Sequence, residues 1–349
     1  MYRNQEFHFP TTHLGSMPHQ VVYSLAERLN SRLDIPAWPQ LPRRSFRESM
    51  YVQYTPSLPA ICEDSRCRVI YFDTTDMAPA LDRFYSAVLA DDLEAFALRP
   101  DYSVGFFAMQ ERLQKAAGEW AKGQVTGPIS LGLAISDQNQ CASLYDDTLR
   151  DVIVKNVAMN ARWQIRQLKS VRSNILMFID EPYLSFFGSA FLTLDRRQLL
   201  PILDEIIEAI QREGAWAGVH CCGNTDWGLL LSTKADIVNL DAFGYVENLS
   251  LYPVELHEYL LRGGSICWGI VPNDARVNAE TSQSLADRLR KGMKLITARA
   301  GLHGVRIRSD DLAAHSLLAP TCGLGFAPVH IADQVLDVLA ETGNVLKAG

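Results

Sequence analysis

Residues 175–180 of the chain read ILMFID, a short apolar run that ends in an acidic residue. Similar apolar runs recur along the sequence, and polar or glycine-containing turns and stretches with helical spacing lie between them. Eight runs of this kind lie at residues 12–16 (THLGS), 69–73 (VIYFD), 124–128 (QVTGP), 175–180 (ILMFID), 217–221 (AGVHC), 237–241 (IVNLD), 266–271 (ICWGIV) and 317–322 (LLAPTC). Amphipathic helices are predicted over residues 146–169, 196–213, 253–262, 282–300 and 332–346. Eight strands alternating with helices predict an α/β fold, a (β/α)8 TIM barrel.

The chain has 349 residues, about 100 more than the roughly 250 that a plain barrel needs. We assign most of the excess to insertions near the N-terminus, at residues 36–64, which are rich in Pro and Arg, and at residues 78–118. Both stretches contain aromatic residues, which favour burial over a flexible linker between domains. We therefore expect residues 1–349 to form a single domain.

The composition excludes several classes of protein. With 33 Lys and Arg against 40 Asp and Glu, the net charge is −7, and no basic run would overcome it, so we expect no nucleic-acid partner. The sequence has no signal-peptide pattern and no window with the roughly 18 uninterrupted apolar residues of a membrane span, so we expect a soluble, cytoplasmic protein without a membrane partner. The seven cysteines are too few and too scattered for a secreted disulfide framework, which predicts reduced thiols.

In a barrel of this type the chemistry lies at the carboxyl ends of the strands. His220 and Cys222 end the fifth run, and residues i and i+2 of a strand face the same side, so both side chains can reach one metal ion. Cys322 ends the eighth run and is the best further ligand, and Asp241 is a possible oxygen donor at the end of the sixth. Histidine and thiolate ligands favour zinc.

Most cysteines in strands are small buried side chains, and we assign Cys141, Cys221 and Cys267 to that class. A His-x-Cys pair alone is a common pattern and is weak evidence for a metal site. The presence of Cys322 at another strand end strengthens the prediction. Two cysteines and one histidine leave the metal incompletely coordinated. Such a site can bind a substrate thiol and remove its proton; hydrolysis by a bound water is the competing use.

Six spaced motifs resemble one family across nearly the whole chain. They are residues 14–19 (LGSMPH), 125–128 (VTGP), 179–182 (IDEP), 220–222 (HCC), 236–241 (DIVNLD) and 322–324 (CGL). Together they resemble the catalytic C-terminal barrel of cobalamin-independent methionine synthase. The wider superfamily also contains uroporphyrinogen decarboxylase and the methylcorrinoid:coenzyme M methyltransferases.

The resemblance implies a zinc-dependent methyltransferase that activates homocysteine as a zinc thiolate and converts it to methionine. His220, Cys222 and Cys322 match the family's zinc ligands and are the predicted catalytic residues. Asp241 stands where the family has a glutamate ligand that homocysteine displaces, and its side chain is one methylene shorter.

The resemblance also implies a binding site for the amino-acid part of homocysteine. Gly15 and Ser16 match the segment that holds the substrate carboxylate, and Asp180 matches the carboxylate that pairs with the amino group. Read without the family, Gly15 and Ser16 could be an ordinary turn, and Asp180 could cap a helix that begins near Pro182.

The departures from the family lie on the methyl-donor side. The family has an additional N-terminal barrel, a Trp after Thr-Gly-Pro that packs on folate, and a His after the seventh strand. This chain has no room for the extra barrel, reads ISLG at residues 129–132, and reads GIVPND at residues 269–274. Because cob(I)alamin leaves without a proton, we expect a methylcorrinoid donor, either methylcobalamin or a methylated corrinoid protein.

The Pro- and Arg-rich residues 36–54 are a candidate docking surface for that donor. Arg43, Arg44 and Arg47 could bind its anionic groups, and the alternative is a solvated loop anchored by Trp38.

Two other functions stay open, and a third is disfavoured. The acceptor could be another thiol such as coenzyme M, although the amino-acid clamp of Ser16 and Asp180 argues against it. The chain could instead be a non-catalytic corrinoid- or thiol-binding protein with a structural zinc, which a closed site of four protein ligands would support. Uroporphyrinogen decarboxylase activity is disfavoured because it uses no metal and would leave the predicted zinc ligands unexplained.

Overall fold

The computed structural model describes residues 5–348, and its largest sheet is parallel and six-stranded. The strands in chain order are β1 (Ile61–Asp64), β2 (Val69–Phe72), β3 (Trp120–Thr126), β4 (Ser136–Asp137), β5 (Asn174–Asp180), β6 (Trp216–Cys221), β7 (Ile237–Asp241), β8 (Ser265–Val271) and β9 (Ser316–Pro320). The large sheet has the order β3-β5-β6-β7-β8-β9, which follows the chain with only β4 left out. Strands β6 and β8 are buried along their whole length, as expected for a parallel sheet covered by helices.

Helices connect and cover these strands. They are α1 (Val22–Arg32), α2 (Ala78–Leu89), α3 (Val104–Gln114), α4 (Pro128–Ala134), α5 (Asp147–Lys169), α6 (Arg196–Arg212), α7 (Trp227–Ser232), α8 (Ala242–Leu249), α9 (Pro253–Leu261), α10 (Ser282–Leu302), α11 (Ser309–Ala314) and α12 (Val329–Lys347). All five predicted helices are present, as α5, α6, α9, α10 and α12. Side-chain caps fix several of their first turns: Asp146 begins α5, and capping boxes at Asp195 and Thr281 begin α6 and α10.

Two extended segments, residues 10–17 and 35–41, connect the two edges of the large sheet. Thr11 bridges Leu318 in β9, and Ala37 bridges Lys122 in β3. The two segments are joined to each other by a bridge between Ser16 and Gln40. They form isolated bridges in place of continuous ladders, and Pro36 and Pro39 have no N–H to donate to one.

The prediction of an eight-stranded barrel is thus confirmed in part, as a curled parallel sheet of six strands. The second predicted strand, residues 69–73, is wrongly placed, because β2 pairs antiparallel with β1 and belongs to a separate three-stranded sheet with β4. Residues 35–41 lie next to β3, where the second strand was expected. Most of these residues were predicted to belong to an insertion. The run at 69–73 has strand-forming residues, but its nearest partner in sequence is the hairpin strand β1.

The predicted insertions pack against the body of the molecule. Trp38 is fully buried, and its indole N–H donates to Gln164 Oε1 at 2.9 Å in α5. Its ring lies 5.8 Å from that of Phe106 in α3, which in turn lies 5.3 Å from the ring of Trp163 in α5. These aromatic contacts join residues from both insertions to the longest helix of the fold.

Within residues 5–348, no helix is both long enough and apolar enough to cross a membrane.

Candidate metal and thiol-binding site

Three of the predicted site residues converge at the carboxyl end of the sheet. His220 lies on β6, Cys222 follows the end of that strand, and Cys322 follows the end of β9. The ligand atoms of the three side chains all lie within 4.8 Å of one another. His220 is buried, and both cysteines are half-buried, so the group lies at the edge of the interior and is reachable from outside.

The three side chains shift one another's pKa values. A hydrogen bond from the Cys322 thiol, together with His220, outweighs burial and lowers the pKa of Cys222 to about 4. The same contact with Cys222 raises the pKa of the Cys322 thiol. Burial lowers the pKa of His220, but its contact with Cys222 prevails and the net shift is upward. This contact therefore favours the thiolate form of Cys222, which is the form that binds metal ions.

Behind His220 lies a fully buried asparagine, Asn239, which was not among the predicted site residues. Asn239 is directly opposite His220 in the β6–β7 pairing, and its Oδ1 lies 2.5 Å from His220 Nδ1. Its Nδ2 donates to the carbonyl of Cys267 in β8 at 2.7 Å. A signal was present in the sequence, since Asn239 precedes Asp241 by two residues and therefore faces the same side of its strand.

Asp241, the fourth predicted ligand, lies outside the cluster of His220, Cys222 and Cys322. It is the N-cap of α8, where its Oδ1 accepts a hydrogen bond from the Gly244 N–H at 2.7 Å. Among the described residues, the group of ligand atoms within 4.8 Å consists of His220, Cys222 and Cys322 and does not include Asp241. Its role as a fourth ligand stays a prediction.

Asp180 lies beside the cluster with an unsatisfied carboxylate. It ends β5 directly opposite His220 and is only 5% exposed. Its Oδ1 has no hydrogen-bond partner. Burial raises the pKa of Asp180, while Lys122 and His220 act in the opposite direction. A buried acceptor without a donor is unfavourable by about 1–3 kcal/mol, so this atom is suited to a ligand that brings an N–H.

Ser16 lies against the loop that carries Cys322, and Gly15 lies against Gln124. The Ser16 carbonyl accepts a hydrogen bond from the Leu324 N–H at 2.8 Å. A Cβ on Gly325 would lie 2.2 Å from Ser16 Oγ. Because glycine has no Cβ, Ser16 can pack closely against the loop at residue 325. Gly15 has a φ of +90°, which favours glycine, and a Cβ on it would lie 2.8 Å from Cδ of Gln124.

Asn273, in the turn after β8, supports the Cys322 loop from its other side. Its Nδ2 donates to the Gly323 carbonyl at 3.1 Å, and its backbone N–H donates to Thr321 Oγ1, also at 3.1 Å. The first extended segment and the turn after β8 therefore both hold the loop that presents Cys322.

Glu181, next to Asp180, has a structural position. Its carboxylate accepts hydrogen bonds from the N–H groups of Ile129 and Ser130 at 2.9 and 2.8 Å and from the Ser130 hydroxyl at 2.6 Å, at the start of α4. Burial raises the pKa of Glu181 to about 7 against the effect of these bonds. Gly127 permits the approach, because a Cβ there would lie 2.2 Å from the carboxylate carbon.

The Pro- and Arg-rich insertion forms part of the wall near the site. The ring centroids of Tyr51 and Tyr183 lie 5.8 Å apart. Burial raises the pKa of the Tyr51 hydroxyl, and Tyr183 and Cys222 add to the shift.

The three arginines proposed to bind anionic groups of a donor are engaged within the chain. Arg43 donates to the Phe326 carbonyl at 2.7 Å, Arg44 pairs with Glu48 at 2.5 Å, and Arg47 pairs with Glu63 at 2.9 Å.

Comparisons with known proteins identify a similar fold but no matching sequence family. No family profile matches the chain, and no curated protein matches it in sequence. A solved structure of a B12-independent methionine synthase from Shewanella sp. W3-18-1, in complex with selenomethionine, matches 97% of this chain and 98% of its own, with a TM-score of 0.54 and 15% identity. At this identity the likeness shows a methionine synthase-like α/β fold.

A second solved structure, the β-methylaspartase of Clostridium tetanomorphum in its Mg complex, covers 76% of this chain and 56% of its own, with 14% identity. Its TM-score of 0.36 is too low to support an argument.

Proposed function

We propose that the protein is a zinc-dependent methyltransferase that methylates the thiol of homocysteine to give methionine. The observation that carries the proposal is the convergence of His220, Cys222 and Cys322, with ligand atoms within 4.8 Å of one another, beside the unpartnered carboxylate oxygen of Asp180. The fold shared with a methionine synthase supports it.

Two sulfur atoms and one imidazole nitrogen fit zinc by their chemistry. Bound zinc would supply a Lewis acid that lowers the pKa of a coordinated substrate thiol to below neutrality. Three protein ligands leave a fourth position for that thiol, and the use of Asp241 Oδ1 as a helix cap favours an open position.

The chain's own residues would orient the amino acid. Asp180 Oδ1 is a free acceptor at the cluster, and the substrate ammonium would donate to it. Ser16, held against the Cys322 loop, would present its hydroxyl to the substrate carboxylate. Gly15 would line the same place, with its own N–H donated to His13 Nδ1 at 3.1 Å. Fixing the thiol between these contacts would lower the entropic barrier to transfer.

The proposal includes a complete barrel. Residues 10–17 and 35–41 would take the places of two strands between β9 and β3, which are the edges they bridge. The carboxyl ends of all strands would then surround one site, as in other barrels of this type.

The observations on the methyl donor point in two directions. The residues after Thr-Gly-Pro are buried and used structurally, since Ile129 and Ser130 bind Glu181, and this leaves no aromatic platform there for folate. By contrast, the methionine synthase with the similar fold is described as B12-independent, which leans against a corrinoid. Methylcobalamin or a methylated corrinoid protein stays our proposed donor, to be compared directly with folate.

The acceptor and the catalytic role have one rival each. Coenzyme M carries a sulfonate and no amino group, so Asp180 would repel it. A non-catalytic thiol- or corrinoid-binding protein with structural zinc would need a closed site, and the position of Asp241 as a helix cap argues against that.

The experiment measures methionine formation by zinc-loaded protein from homocysteine, with methylcobalamin and, separately, with methyltetrahydrofolate. We expect product with methylcobalamin and loss of most zinc and activity in Cys322→Ser. The control Cys141→Ser should keep both, because Cys141 is exposed, contrary to its prediction as a buried side chain. Product with folate alone would overturn the donor and leave the acceptor intact. No product with either donor, or full activity in metal-free protein, would overturn the proposed function.

A further inference from the structure

Asn239 makes two hydrogen bonds that together determine its orientation. Side-chain amide oxygen and nitrogen have opposite roles, as acceptor and donor. Asn239 is fully buried between two neighbouring strands, opposite His220 on one side and opposite Cys267 on the other. A backbone carbonyl can only accept, so the amide nitrogen must be the atom that faces the Cys267 oxygen, 2.7 Å away.

This orientation has a consequence for the imidazole. With its nitrogen directed at Cys267, Asn239 presents its oxygen to His220 Nδ1 at 2.5 Å. An amide oxygen accepts only, so Nδ1 must carry the proton. The remaining ring nitrogen, Nε2, then keeps its lone pair when the imidazole is neutral, and it is the nitrogen available to a metal ion.

We propose that Asn239 is the positioning residue of the metal centre: through the backbone carbonyl of Cys267 it holds His220 as the Nδ1–H tautomer, with Nε2 directed at the metal. This inference rests on the proposed function, since it assumes that His220 binds zinc. Partners of this kind commonly fix the orientation of a metal-binding histidine and raise its basicity. Here the partner is a neutral amide, so the centre gains orientation without another buried negative charge beside Asp180.

The test compares Asn239→Leu with a matched control elsewhere in the fold. Asn160, in α5, is almost equally buried and has the same pattern: its Nδ2 donates to the Phe96 carbonyl at 2.9 Å, and its Oδ1 accepts from Gln164 Nε2 at 2.8 Å. We expect Asn239→Leu to weaken zinc binding by about 10–100-fold in chelator competition, as other losses of such partners do. Asn160→Leu should bind zinc like the wild type, although it loses a similar pair of buried hydrogen bonds.

A conservative variant separates orientation from packing. Asn239→Asp keeps an acceptor for His220 Nδ1 but loses the donor to the Cys267 carbonyl and adds a buried charge. It should therefore be less stable than the wild type, and its loss of zinc affinity should be smaller than that of Asn239→Leu. Unchanged zinc affinity in Asn239→Leu, or an equal loss in Asn160→Leu, would overturn the inference and leave the proposed function standing. If the wild-type protein binds no zinc, both the inference about Asn239 and the proposed function are wrong.

A spectroscopic measurement decides the matter even where Asn239→Leu does not fold. Nitrogen–proton correlation spectra of histidine-labelled, zinc-loaded wild type should show His220 with its proton on Nδ1 and the metal on Nε2. Zinc on Nδ1 would contradict the inference.

Discussion

At the scale of single residues, Lys122 is the most unusual group in the interior. It lies on β3 and is completely buried, with Nζ 3.4 Å from Gln124 Oε1 and 4.4 Å from the centroid of the Phe178 ring. Burial lowers the pKa of Lys122 to about 8, against the attraction of Asp180. A buried ammonium with so few acceptors reduces stability, and its positive charge helps to keep Asp180 ionised.

We predict that Lys122→Met stabilises the protein and weakens substrate binding. The folded-state pKa of about 8 lies below the unfolded value of 10.5, so the charged lysine opposes folding at pH 7 by at most about 3 kcal/mol. This penalty falls as the pH rises from 8 to 10.5, and the gain in the free energy of unfolding should shrink over that range. Chemical denaturation at several pH values measures it.

The same variant should raise KM for homocysteine more than it lowers kcat, because Asp180 loses the charge that favours its ionised form. Lys115→Met, at an exposed lysine, is the control and should change neither property. A Lys122→Met protein that is less stable at pH 7, with unchanged KM, would contradict both the destabilising effect of the buried charge and its action on Asp180.

At the scale of elements, the start of α4 depends on a carboxylate from another strand end. Glu181 accepts three hydrogen bonds there, from two backbone N–H groups and one hydroxyl. The amide nitrogen of a glutamine cannot accept, so Glu181→Gln should leave a buried donor unpaired and reduce the free energy of unfolding by about 1–3 kcal/mol. Urea denaturation checks this, with Glu341→Gln, at an exposed position of α12, as the control. Equal stability of the two variants would exclude the capping role.

The elements themselves were predictable to different degrees. The five helices follow from apolar periodicity and from caps such as Asp195 and Thr281, which act within a few residues. The segment at residues 35–41 could not be predicted as part of the sheet, because its prolines remove the strand pattern and its bridges to residues 10–17 and β3 are tertiary. The run at 69–73 was misplaced for the opposite reason: its residues suit a strand, and local pattern does not say which sheet it joins.

The residues of the candidate site also differ in how far the sequence predicts them. His220 and Cys222 could be predicted together because strand periodicity places i and i+2 on one face, and Cys322 because it ends another strand. The spacing to Asp241 could have placed Asn239 on the same face, but its role could not be predicted, since it depends on the register that sets Asn239 opposite His220 and Cys267. The position of Asp241 as a helix cap is likewise fixed only by the fold around it.

At the scale of the whole molecule, a bound metal would join distant parts of the sheet. His220 lies on β6 and Cys322 follows β9, and two strands lie between them in the sheet. Zinc held by both should stabilise the folded chain by about 2.7 kcal/mol when its free concentration is 100 times Kd. We expect a higher Tm with zinc, a lower one with chelator, and no response in Cys322→Ser. A zinc-independent Tm in the wild type would argue against this link.

We expect the substrate thiol to bind the metal held by His220, Cys222 and Cys322, and X-ray absorption at the zinc edge detects the sulfur atoms bound to that metal. The chain supplies two sulfur neighbours and one nitrogen neighbour. On addition of homocysteine, we expect a third sulfur at about 2.3 Å from zinc. A sulfur count that does not change when homocysteine is bound would contradict binding of the thiol to the metal.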